Sequence, residues 1–448
     1  MRVSAFLLAA ACALSSACHS APPAPPPAPR VLSDSAAIAL AWVQSHAQQF
    51  TLGDSTPNAA DRAQIVSLAG DAKIVGFSEL NEGTRELPLV VRRALIALAD
   101  GAGFRGLAIQ APMAEALEVD RYVRTGQGDL RQLLRTLGNW RWEDREMFGL
   151  VTAIRSWNQA HADKQIGFYG FEIPTAEHAV QVVTSLPDSI TGPSLKAWLT
   201  QTYGCIYTSE SAHWGLEGRA SDSTFWNSCG EAAKAGLDSI VALRRRISPT
   251  SSAAANVAFA EQMARLIQHH AALSLKHTKR EEANAEHLLF LANNLGADAK
   301  LVVWGGDVEM GRLTLDKTTV QTGVALNARL GEKYRPIAFV FGDGSLRTRR
   351  LGPRRSGSEP GLSDVTILPP NANTYEDVLI RTQGAAYWLD ARTLPNDIGG
   401  AWLRGPRRAR FVTGEYVPAA TELTETPLEL PAFFDALVYV RRVTPARQ

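Results

Sequence analysis

Six side chains stand where a buried strand hands over to a turn: Glu79, Glu82, Gln110, Glu172, Asp307 and Glu309. All but Gln110 are acids. Carboxylates gathered in one crevice cannot all stay ionised, so at least one is expected to keep its proton to near neutral pH and act as a general acid or base. The chemistry this suits is hydrolysis, with Glu79 and Glu82 activating water and the amide of Gln110 orienting a substrate.

The elements that must position these groups are legible in the pattern. Lys73 to Phe77 is short, apolar and β-branched, a buried strand, and the apolar positions from Leu87 to Leu98 recur at helical spacing. Ser78 to Gly83 form the polar turn between them. Thr84 is expected to cap the helix with its hydroxyl, and Pro88 falls in the first turn, where the N–H it lacks has no partner anyway. Phe104 to Ala111 is a second strand, ending near Gln110, with a helix returning over Ala114 to Arg124. Gln165 to Ile173 delivers Glu172, and Leu301 to Trp304 leads into Gly305 to Arg312. Consecutive strand–helix units imply parallel pairing through right-handed crossovers. Open sheets of that kind bind ligands at the carboxyl ends of their strands.

The expected fold class is therefore α/β: a parallel central sheet with helices on both faces and large helical insertions, one of them around residues 185–295. Within it Ser251 to Asn294 lacks Gly and Pro and reads as one long helix, or two broken near Lys276. Its histidines, His269, His270, His277 and His287, share no i, i+4 face with carboxylates in a zinc pattern, so solvated or structural roles are expected. Trp140 and Trp142 are spaced to line an apolar pocket for a bulky ligand, with a place in the core as the alternative.

Gly76, Glu79, Glu82, Gly83, Thr84 and Glu86 resemble the pattern G-x-x-E-x-x-H-G-[TS]-x-E of the erythromycin esterase family, with Glu82 in the histidine position. Met113 to Asp129 resembles a further stretch, whose preceding strand ends in glutamate where this chain has Gln110. Trp140 and Trp142 match a Trp-x-Trp element. Arg280 to His287 is similar to R-D-x-x-M-A-x-N, with His287 replacing asparagine. Trp304 to Gly311 is similar to W-A-H-N-x-H-x-G, with Gly306 and Glu309 replacing both histidines and Asp307 the asparagine. The likeness runs from about residue 60 to the end.

The resemblance implies a hydrolase of esters or lactones with a link to antibiotic response, needing no cofactor and taking a small-molecule ligand. On it, Glu309 takes over a histidine's share of the catalysis, and Gln110, Trp140, Trp142, Glu172, Asp307 and His287 contact substrate. The alternative is a catalytically degenerate member, a pseudoenzyme whose acids hold a hard cation such as Ca²⁺ or Mg²⁺, or a cationic or sugar-bearing ligand, without turnover. A third reading takes Ser78 as a nucleophile, since Gly76-Phe77-Ser78 resembles a nucleophile elbow, but the second glycine and a partner histidine are missing.

A formal net charge of +1 gives no global attraction to polyanions, so nucleic acid is not an expected partner. The arginines at 347–355 and 404–410 read as solvated loops. Arg2, the apolar run Val3 to Leu14 and the small residues before Cys18 resemble a bacterial secretory signal over residues 1–17. That run falls short of the ~20 residues a membrane span needs. Leu14 to Cys18 is similar to a lipoprotein processing site, so Cys18 is a candidate for lipidation, with plain periplasmic export as the alternative. Residues 18–33 would be a stiff Pro/Ala-rich tether and residues 34–448 the α/β domain. Cys205 and Cys229 are then the remaining pair, which an oxidising periplasm favours as a disulfide; two buried thiols are the other reading.

Overall fold

The computed structural model describes residues 31–53, 57–207, 223–296, 298–315, 320–350, 361–412, 415–416 and 424–448. The signal segment, Cys18 and most of the tether lie outside them.

The strands are β1 (Gln48–Gln49), β2 (Ile74–Glu79), β3 (Phe104–Pro112), β4 (Gly167–Glu172), β5 (Lys300–Gly306), β6 (Tyr334–Arg350), β7 (Leu362–Ile367), β8 (Ala386–Asp390), β9 (Arg407–Arg410), β10 (Glu415–Tyr416), β11 (Glu425–Leu428) and β12 (Ala436–Val443). Across the main sheet the order is β1-β8-β12-β6-β2-β5-β3-β4. From β12 to β4 every neighbour is parallel, as expected. Antiparallel pairs extend the sheet: β8 on β12, β1 on β8, and β7 on the far end of β6. The expected parallel sheet is thus the centre of a mixed one.

Alternation along the central strands feeds two cores. Val75, Phe77, Leu107, Ile109, Val302 and Trp304 point to one face, where the helices Glu86–Gly101 and Arg145–Ala160 cover them. Ile74, Ala108, Tyr169, Leu301 and Val303 point to the other, covered by the helical insertion. Side chains of this size stabilise by roughly 1.5–3 kcal/mol each when fully buried. The insertion contains the helices Pro193–Thr202, Ser223–Arg246, Ala254–Ser274 and Arg280–Asn294. The break after Ser274 passes through Lys276, whose φ of 57° is left-handed. A disulfide joins Cys205 to Cys229 and so ties the segment after Pro193–Thr202 to the helix Ser223–Arg246.

One local expectation fails. The helix after β2 begins at Glu86 with no side-chain cap, and the Thr84 hydroxyl is buried without a hydrogen-bond partner. Thr84 is instead drawn into an antiparallel bridge with Pro445, which shifts the helix start beyond its reach.

Chain direction puts the site at a switch point. From β2 the chain moves to β3 over one face; β5 then returns between them, and the next connection leads to β6 on the far side of β2 through the helix Thr322–Leu330 on the opposite face. Diverging connections leave a crevice above the carboxyl ends of β2, β5 and β3.

Candidate active site

Register brings the strand ends level: Glu79 lies beside Gly306, and Ser78 beside Gly305. A cleft of about 440 Å³ opens there, lined by Glu82, Gln110, Arg141, Arg280, Glu281, Asp307, Glu309 and Gln321 among others. A larger cavity of about 750 Å³ lies away from these strand ends, between the helices Ala116–Thr125 and Ala254–Ser274.

Arg141 is the residue that sequence reasoning missed. It sits in the short 3-10 turn Trp140–Trp142, whose start is held by Asn139 accepting from the Arg141 N–H at 3.1 Å. Its guanidinium lies over the Trp142 ring, 4.9 Å from the centroid, and Trp142 packs edge-on against Trp304. Nη1 then reaches Glu82 Oε1 at 2.7 Å and Glu79 Oε2 at 3.5 Å. One cation thus serves two carboxylates. Glu79, wholly buried and also receiving the Trp304 indole N–H at 3.1 Å, is pushed well above the usual carboxylate range by burial, with the Glu82 charge adding to the shift against the pull of Arg141. Glu79 therefore lies beneath the cleft as a support for Arg141 and does not line it. A signal for Arg141 existed: an arginine after a capping asparagine and beside a tryptophan over which its guanidinium can lie.

Gly306 explains how the guanidinium fits. A Cβ at this position would come within 2.9 Å of both Arg141 Nη1 and Glu82 Oε1, and 3.2 Å of Gln110 Oε1. Gln110 accepts from the Gly306 N–H at 2.6 Å and donates to Glu172 Oε1 at 2.9 Å, so it braces β3, β4 and β5 together at the cleft edge.

On the opposite wall, Glu309 accepts the Thr322 hydroxyl, and burial raises its carboxyl to about 7 against the opposing effects of Thr322 and Arg280. Asp307 is raised to about 6, first by burial and then by the Glu82 charge; its φ of 52° is left-handed and one of its oxygens is buried without a partner. Gln321 Oε1 is likewise unpartnered, in a residue only 4% exposed. Arg280 pairs with Glu281 at 3.1 Å and stands 3.8 Å from Glu172.

Of the sequence-predicted residues, Glu82, Gln110, Asp307 and Glu309 converge on the cleft, with Glu79 and Glu172 in contact behind them. Three others do not. Trp142 is core, 1% exposed, and Trp140 packs over Gly83, because the turn that aims Arg141 at the acids turns both indoles away. His287 is wholly buried, in contact with the Phe171 carbonyl and His269, each at 3.2 Å, and burial holds it down to about 3. Ser78 is also buried, its hydroxyl accepting from the Met310 N–H, which removes the nucleophile reading.

Among the described residues, no group of three or more His, Cys, Asp or Glu side chains is arranged to hold a metal ion. The physical reason at the cleft is plain: the Arg141 guanidinium occupies the charge centre between Glu79 and Glu82 that a cation would take.

Residues 100–443 match the family model described as erythromycin esterase. A Bacillus cereus protein of known structure superposes with a TM-score of 0.79 at 19% identity, covering 92% of this chain and 98% of that one. A structure titled as a succinoglycan biosynthesis protein gives 0.76 at 16% identity, over 93% and 100%. A mutant of the erythromycin esterase EreC in its open conformation gives 0.62 at 14% identity, over 90% and 98%. At these identities the three structures speak to the fold.

Proposed function

Because the chain belongs to the erythromycin esterase family, we propose that it hydrolyses a carboxylic ester or lactone in the cleft between Glu82 and Glu309, with Glu309 as the general base. The observation that carries this reading is the Glu309 carboxyl on the cleft wall, raised to about 7. A glutamate so poised does what imidazole does elsewhere: it is partly free to take a proton near neutral pH. Thr322 fixes one oxygen and leaves the other for water. Water attacks the acyl carbon as its proton passes to Glu309; the C–O bond then breaks, and the leaving alkoxide takes that proton back. Arg280 and Arg141 supply positive charge near the developing oxyanion.

Asp307 Oδ1 and Gln321 Oε1 are acceptors in need of donors, so the substrate is expected to carry hydroxyl or ammonium groups. The antibiotic link enters as a substrate question: without histidines at 82, 306 and 309, macrolide lactones are expected to stay intact. We also propose that the chain acts in the periplasm, soluble or held by a lipid on Cys18, a reading supported by its apolar N-terminal run and by the disulfide.

The test is turnover of an ester and lactone panel by wild type and Glu309→Gln. Activity rising through about pH 7 and lost in the variant supports the base; undiminished activity in the variant ends that role.

A further inference from the structure

The segment Thr444–Gln448 lies across the turn that carries Glu82. The Thr444 N–H and hydroxyl donate to the two oxygens of Glu86 at 2.9 and 2.7 Å, and the Arg85 N–H donates to the Thr444 carbonyl at 2.9 Å. Pro445 bridges Thr84. The Ala446 N–H donates to the Gly83 carbonyl at 3.0 Å, and the Arg347 N–H of β6 reaches the same carbonyl at 2.9 Å. Beyond the turn, Arg447 meets Glu146: its N–H and Nε donate to separate oxygens at 3.0 and 2.6 Å, while the Arg145 N–H donates to the Arg447 carbonyl at 2.7 Å. The Glu146 side chain is fully buried.

The consequence lies in what these two anchor points carry. Glu86 opens the helix just after the Glu82 turn, and Glu146 lies in the first turn of the helix that follows the 3-10 turn bearing Arg141. The helices behind the two loops pack on each other in one core, while Glu82 and Arg141 themselves stand outside both helices. We propose that Thr444–Gln448 is a strap that fixes the Glu82–Arg141 contact, with Arg447 as a positioning residue. Its grip, one backbone N–H and one guanidinium N–H on separate oxygens, resists sliding of one loop past the other; without the guanidinium, Glu146 Oε1 keeps only Arg85 Nε at 3.6 Å, draws water and loosens the start of its helix.

Hydrogen–deuterium exchange read by mass spectrometry tests the strap without any substrate. The proteins compared are the full chain, Arg447→Ala, Arg447→Lys and a chain ending at Val443. Faster exchange in peptides spanning residues 80–86 and 138–146, in the alanine variant and the shortened chain, is expected, with the rest of the sheet unchanged and the lysine variant in between. Unchanged exchange at either peptide in the alanine variant, or lysine behaving as alanine does, overturns the proposal. The kinetic consequence rests on the hydrolase reading: with an ester that wild type turns over, Arg447→Ala lowers kcat by about tenfold, restored in part by lysine, as misplacement of this kind predicts. A wild type without turnover would count against the hydrolase and leave the exchange result standing.

Discussion

Glu309 is buried with its carboxyl raised to about 7 from an ordinary 4.5, and this has a cost in stability as well as a use in chemistry. A carboxyl whose folded pKa lies above its unfolded value binds more protons folded than unfolded between the two. Stability is therefore fully present below about 4.5, falls as pH rises, and levels off above about 7. The difference is on the order of 3 kcal/mol. Glutamine keeps an acceptor for Thr322 and cannot ionise. Glu309→Gln is thus expected to raise the thermal midpoint at pH 8 and leave it nearly unchanged at pH 4, which scanning calorimetry at both pH values would check; a lower midpoint at pH 8 would contradict the burial argument. At this scale the sequence named most of the acids and left the tryptophans open between pocket and core, of which the structure takes the core for Trp142. It can say that residues 140 and 142 are large and apolar, but which way an indole turns depends on Arg141 finding Glu79 and Glu82, some 60 residues away.

Elements were easier to read where their signal was local. Continuous apolar runs marked β2 and β5, and the Gly- and Pro-free stretch marked a helix that does break near Lys276. Thr84 was misread because its rival partner, Pro445, comes from the other end of the chain. The disulfide belongs to this scale. It closes a separation of 24 residues between Cys205 and Cys229, and a loop of that size is worth about 3 kcal/mol through restriction of the unfolded chain. Cys205→Ser with Cys229→Ser is expected to lower stability to denaturant by about that amount, with the central sheet melting no earlier than the insertion. An unchanged midpoint would mean that the segment at Cys205 is held on the helix Ser223–Arg246 by packing alone.

Over the whole molecule, proposed export sets a test of its own: in a bacterial host a chain with a lipid on Cys18 should fractionate with membranes and lose that lipid in Cys18→Ala, whereas plain export leaves the wild type in the soluble periplasm. Cytoplasmic recovery of the wild type would refute export. No helix among the described residues is long and apolar enough to cross a membrane. By itself the sequence determined the α/β class, the parallel centre, the helical insertion and the acids at strand ends, because hydrophobic period and turn chemistry act over a few residues and need no knowledge of the partner strand. Tertiary structure alone decided the strand order, the antiparallel additions, the burial of Glu79 and the entry of Arg141 into the space above Gly306. Those features arise from segments far apart in the chain meeting at one crevice, where a single guanidinium must share its charge between carboxylates that no local pattern could have paired with it.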